Sequence, residues 1–283
     1  MQQFRPVRTQ RESRAAGFAL IELLVVVSII AVLMGILLPA LSAARAAAKA
    51  ALDLSNLRQV GIGLTVYTDD QDGFYPKHSS SSSGPWPGFD NRPRWPDYIF
   101  PYVNDTKIFL NPLLSPRELE DNFQKPFAHD TNIGYGGYGY NFQYLGNSRF
   151  NPTFHARNSA DVTRPTETVV VGDTAGSRHG DALANPGDGA AAVYVLDPPL
   201  ASARRAHPDG RRYYSGGNAD ETGGTPQTYL WRSFPAERGG YAPSFSFADG
   251  HAESMTIERV DDHDGDGTQD NGFWNGKGDA SFR

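Results

Sequence analysis

From Phe18 to Leu41 the chain is an almost unbroken apolar run of 24 residues, "FALIELLVVVSIIAVLMGILLPAL", in which Glu22 is the single charge and Ser28 the single hydroxyl. As a helix it would rise about 36 Å, enough to cross a hydrocarbon core. Pro39 removes a backbone donor, so a kink or a locally melted turn is expected there, with Gly35 adding freedom. A helix end at a membrane surface accounts for the same proline. The following "SAARAAAKAALDLSNLRQVGIGLTVYTDD" is alanine-rich with high helix propensity. Leu57, Val60, Leu64 and Tyr67 fall at i, i+3, i+7 and i+10, one apolar stripe for packing against a head. Gly61 and Gly63 weaken the last turns, and the helix is expected to end near Asp69.

The pattern then changes period. "DGFYPKHSSSSSGPWPGF", with its serine run Ser79 to Ser83, reads as a turn and surface loop. "TETVVVGD" (Thr166 to Asp173) and "AAAVYVLD" (Ala190 to Asp197) are short apolar strands. "SFSFADGHAESMTI" places Phe245 and Phe247 on one face, turns at Asp249-Gly250 and returns from Ala252 to Ile257, a hairpin. The expected class is α+β: a long N-terminal helix, half membrane-spanning and half amphipathic, packed on a β-rich, loop-rich head. The segments are 1–17, a leader; 18–69, the helix; and 70–283, the head.

Composition narrows the function. The net charge of −6 argues against a nucleic-acid binder, which needs a basic stripe. Arg5, Arg8, Arg11 and Arg14 stand before the apolar run with one acid, Glu12, a basic tip that reads as cytoplasmic. The head would then be extracytoplasmic, on the far side of an inner membrane. Cysteine is absent, so neither a disulfide nor a thiolate is available, and packing or a hard metal ion must pin the loops.

Glu22 is the anomaly. An acid near a helix centre costs about 3 kcal/mol on insertion scales, less near the start of the segment. A secretory signal would have a shorter apolar core and a small-x-small site, which "LLPALSAARA" partly offers. A plain anchor explains neither Glu22 nor the Gly17-Phe18 junction. "GFALIELLVVVSIIAVLMGILLPAL" resembles the class III signal of type IV pilins and type II secretion pseudopilins. That resemblance implies cleavage by prepilin peptidase between Gly17 and Phe18 and methylation of the new Phe18 amine. Ala19 stands where threonine is usual. It also implies that Glu22 neutralises the terminal amine of an adjoining subunit during assembly. Opposite charges about 4 Å apart attract strongly once water is excluded. A carboxyl reaching to the headgroups is the other account of Glu22. Pro39 matches a proline that, in such helices, coincides with a stretch that unwinds in the filament.

The head resembles pilin-like proteins of unassigned function through "WPDYIFPYV", "YGYN" (Tyr138 to Asn141), "PTETVVVGDT" and "FADGHAE". Two landmarks differ. Gly239 stands where that group often has a histidine, and Asn111-Pro112 where it often has Cys-Pro after a Pro-Tyr strand. The resemblance implies no biochemical activity.

"DDHDGDGTQDNGFW" carries the sharpest chemistry. Asp262, Asp264, Asp266 and Gly267 form D-x-D-x-D-G, whose alternate carboxylates converge on a hard cation. Thr268 can add a carbonyl and Asp270 an oxygen, with Asp261 and Asp279 as weaker candidates. The twelfth position is Phe273 and not the glutamate of an EF-hand, and no flanking helix is evident. Calcium is the expected ion, and an acidic loop that merely repels itself the alternative. Major pseudopilins of type II secretion resemble this arrangement, holding calcium near the C-terminus where other pilins use a disulfide. His263 lacks the companion ligands zinc needs.

No H-E-x-x-H, G-x-S-x-G or G-x-x-x-x-G-K is present, and "RHGD" (Arg178 to Asp181) and "DGH" (Asp249 to His251) are pairs usual in solvated turns. The expectation is a non-enzymatic filament subunit, with prepilin peptidase, other pilin or pseudopilin subunits and the inner membrane as partners. The rival is a membrane-anchored surface or glycan-binding protein, its face lined by Trp86, Trp95, Trp231 or Trp274, that keeps the anchor without polymerising.

Overall fold

The computed structural model describes residues 20–77, 94–115, 136–146, 158–174, 178–179, 196, 229–230 and 235–279. Gly17, Phe18, Trp86, Trp231, the serine run and all of Ala190 to Asp197 except Leu196 lie outside them. The chain divides into two compact units, Met1–Arg45 and Ala46–Arg283.

Helix α1, Leu20–Asp70, is continuous and ends one residue beyond the expected position. Pro39 lies inside it and neither ends nor unwinds it, contrary to a melted turn or a surface terminus. The reason is local: proline deletes one donor, and the leucines and alanines around it are strong helix formers. Every described residue of the first unit is exposed, including Leu20, Ile36 and Leu38. The Ser28 hydroxyl donates to the Leu24 carbonyl at 2.6 Å, so this polar group is satisfied within the helix. The segment is long and apolar enough to cross a membrane.

In the second unit the expected stripe is the buried face of α1. Leu57, Val60 and Leu64 enter the core, and Tyr67 is half-buried between Tyr98 and Tyr102. Gly61 and Gly63 do more than weaken the last turns. A Cβ on Gly61 would collide with the Ser246 side chain, and one on Gly63 with Val103. The two glycines let α1 lie close against the sheet and the second helix.

That second helix, α2, is Trp95–Val103 and replaces the strand expected around Pro101-Tyr102. Pro96 in its first turn is pre-set for helix, and Asp97 accepts from the Arg94 amide at 2.8 Å. Local helix-start chemistry decides this segment, against the Pro-Tyr strand of the group it resembles.

The main sheet has four strands in the order β1-β2-β5-β6, all antiparallel: β1 Tyr138–Tyr140, β2 Val169–Asp173, β5 Ser244–Phe247 and β6 Ala252–Ser254. β3 Arg178–His179 and β4 Tyr229–Leu230 pair separately. Strand β2 starts later than expected because Pro165–Glu167 forms a 3-10 turn, with the Thr168 hydroxyl donating to the Arg164 carbonyl. The β5–β6 hairpin forms as expected, with Gly250 at φ +87° in its turn. Beyond Ser254 the chain leaves the sheet, and Ile257–Val260 is a one-turn helix, α3, capped by Thr256. Phe245 and Phe247 pack with Val169, Val260, Phe273 and Trp274, while Val170, Val171, Tyr138 and Tyr140 join α1 and α2 in the other cluster.

Candidate functional site

Glu22 occupies the first turn of α1 and is exposed, its neighbours Ile21, Leu23 and Leu24 exposed too. An acid at a helix N-terminus is favoured by the macrodipole. Gly17 and Phe18 lie outside the described residues.

The acidic loop follows α3. Carboxylate oxygens of Asp262, Asp264 and Asp270 lie within 4.8 Å of one another. Asp262 organises the loop: its Oδ1 accepts from the amides of Gly265 (2.8 Å) and Asp266 (3.2 Å), and its Oδ2 from Gly267 (2.9 Å). Gly265 and Gly267 take φ of +77° and +83°, the left-handed backbone that the sharp turns require. Asp270 is buried, accepting from the amides of His263 (2.8 Å) and Gly272 (2.5 Å), and its own amide bonds the Asp261 carbonyl across the loop mouth at 2.8 Å.

Three all-oxygen side chains fit a hard cation, each carboxylate keeping at least one lone pair beyond its amide contacts. Asp266 is not in that group; its Oδ1 accepts from the Thr268 amide at 2.7 Å. Phe273 has a packing role at the position where an EF-hand carries glutamate. It is 5 % exposed, stacked edge-on with His263 and covered by the Arg259 guanidinium at 4.9 Å. Trp274 is wholly buried and its indole donates to the Val260 carbonyl at 3.1 Å.

Sequence reasoning missed the supports on either side. α3 precedes the loop, and Arg259 ties it down through the Asp262 and His263 carbonyls at 2.9 and 2.8 Å. His263 Nε2 meets Glu167 Oε2 at 3.0 Å. Burial disfavours the Glu167 charge, but the His263 hydrogen bond and the Arg164 guanidinium outweigh it and hold the carboxyl below its usual range. Residues 96 positions apart left no local signal of this contact.

Of the other candidates, Trp95 and Trp274 are buried and fill the core. His251 closes its own turn, with Nδ1 2.5 Å from Asp249 Oδ1 and its ring stacked on Phe247. Asn111, where the resembling group often has Cys-Pro, is buried and donates to Asp173 at 2.6 Å. Gly239, in the histidine's place, is an exposed turn residue at φ +60°. A separate cleft of about 680 Å³ is lined by Tyr67, Tyr98, Phe74, Asp70, Asp72 and Lys77.

Among known proteins, residues 13–38 match the family described as the prokaryotic N-terminal methylation motif. No curated protein and no solved structure matches the chain. The matched residues take in Gly17, Phe18, Glu22 and most of the apolar half of α1. Proteins with this signal are processed by prepilin peptidase and are structural rather than catalytic. The chain thus carries, at its N-terminus, the prepilin-type signal of type IV pilins and pseudopilins.

Proposed function

We propose that the protein is a structural subunit of a type IV pilus-like or type II secretion pseudopilus filament. The observation that carries this reading is the methylation motif with Glu22 inside it, continuing into an exposed apolar helix. Prepilin peptidase cuts after Gly17 on the cytoplasmic side, and Phe18 becomes the methylated terminus. The apolar half of α1 first holds the subunit in the inner membrane with its head extracytoplasmic. It then exchanges lipid for neighbouring helices in the filament core, where Glu22 meets the Phe18 amine of an adjoining subunit. Pro39 is the point at which α1 can loosen on assembly.

In the head, Asp262, Asp264 and Asp270 hold a calcium ion, with Asp266 and Thr268 turning inward as further ligands on binding. The ion clamps a C-terminal loop that no disulfide can fasten. Support comes from the three converging carboxylates and the two positive-φ glycines.

Glu22→Ala tests the filament reading. Export and membrane insertion should persist while filament assembly is blocked or slowed. Normal filaments from this variant would remove the reading's best residue. The second reading, an anchored glycan-binding head, is favoured by the cleft beside Tyr67 and Tyr98, where aromatic faces and carboxylates meet. It requires sugar binding that Tyr98→Ala weakens, with no polymer formed.

A further inference from the structure

Two carboxyl groups are enclosed between α1 and the sheet. Asp53 of α1 and Asp173 of β2 are 0 % and 1 % exposed. Asp53 Oδ1 accepts from the Tyr138 hydroxyl at 2.7 Å. Asp173 accepts from the Asn111 amide group at 2.6 Å and from the Ser244 backbone amide at 2.8 Å. The other oxygen of Asp53, fully enclosed, has no hydrogen-bond partner among the described residues. Among the described residues one cation faces the pair: buried Arg238, whose Nη2 donates to the Thr174 carbonyl at 2.6 Å and whose charge attracts both carboxyls. The remaining groups around the pair are Tyr138 of β1, Asn56 of α1, Asn111 and Ser244. Burial and the adjacent carboxyls push the Tyr138 hydroxyl well above its usual range, so it stays neutral.

Charge balance then decides the protonation. Among the described residues two carboxylates stand against one guanidinium, which leaves a surplus negative charge in an enclosed site, and like charges so placed are not both kept. An enclosed carboxylate oxygen without a donor is equally unfavourable, whereas the same oxygen carrying a proton becomes a donor itself. We propose that Asp53 and Asp173 share one proton at neutral pH and that this proton clamps α1 to the sheet.

The clamp is tightest in acid and loosens in alkali. Burial, the largest influence on both groups, raises Asp53 above the ordinary aspartate value of 3.8 and Asp173 well above it. The folded chain therefore keeps a proton that the unfolded chain has released. That contribution is complete below the unfolded value and is lost as pH rises through the folded one.

The test is the melting temperature of the detergent-solubilised full chain followed from about pH 5 to about pH 9, for the natural protein and for Asp53→Asn. Asparagine keeps the acceptor for Tyr138 and cannot ionise. The natural protein should lose melting temperature as pH rises; the variant should lose less and melt higher at the alkaline end. Parallel curves would overturn the proposal. Infrared spectra of the natural protein at neutral pH give a reading that does not depend on the variant folding. A protonated-carboxyl stretch is expected, and its absence would overturn the shared proton outright.

Discussion

Single residues carry the two sharpest chemical statements, and they differ in kind. Glu22 is unfavourable where it stands, by about 3 kcal/mol at a helix centre and less near the end. On the proposed reading, its retention makes sense through the Phe18 amine of an adjoining subunit. The loop aspartates are the reverse case: Asp262 and Asp270 each accept from two or more backbone amides, whereas exposed Asp264 accepts from the Asp266 amide at 3.2 Å. Asp264 is therefore the residue whose removal should affect ion binding most and the loop's own framework least. Chelation should lower the head's melting temperature, and Asp264→Ala should abolish the difference. Identical melting curves of the natural protein with and without chelator would take calcium out of the account. Trp274 belongs to the same neighbourhood but acts by packing. Trp274→Ala should destabilise the head by about 3–5 kcal/mol in denaturant titrations, whether or not calcium is added. A loss below about 1 kcal/mol would show that the loop is not anchored through this side chain.

At the scale of elements, the governing contact is α1 against the β5–β6 hairpin and α2. Gly61 faces Ser246 and the Gly250 backbone, and Gly63 faces Val103. Substituting Gly61 by alanine raises intrinsic helix propensity by about 1 kcal/mol. The new methyl group, however, lands on Ser246 and the adjoining turn, and overpacking of this sort costs about 1–3 kcal/mol. Gly61→Ala should accordingly lower the melting temperature, whereas a rise would mean that the helix can shift away from the sheet. Elements with one strong local period were legible beforehand: the stripe Leu57, Val60, Leu64, and the Phe245/Phe247 alternation ending at Asp249-Gly250. Elements decided by short-range chemistry at their ends were not. Pro96 and Asp97 start a helix where the resembling group has a Pro-Tyr strand, and Pro165 holds Thr166 in a 3-10 turn. At Pro39 the helix runs on, since one missing donor does not break a helix supported by good formers on both sides.

The whole molecule is read from its two ends. At the N-terminus, spacing along the sequence is itself the signal, so the Gly17-Phe18 pair, the acid and the apolar run are visible without coordinates, and the methylation motif covers the same residues. At the C-terminus, D-x-D-x-D-G showed which residue types converge, but not that Asp266 turns to Thr268 or that Phe273 is a core residue. The Asp53–Asp173 enclosure and the His263–Glu167 contact, by contrast, join residues far apart in the chain. No local pattern encodes them. The central claim concerns the N-terminal end: that the chain is cut and methylated as a pilin-type precursor and serves as a filament subunit. The mass of the N-terminal peptide, from protein isolated from its native cells, tests this most directly. The account predicts a peptide beginning at methylated Phe18. A chain beginning at Met1, or after an alanine near residue 45, would contradict it and leave an anchored or secreted head in its place.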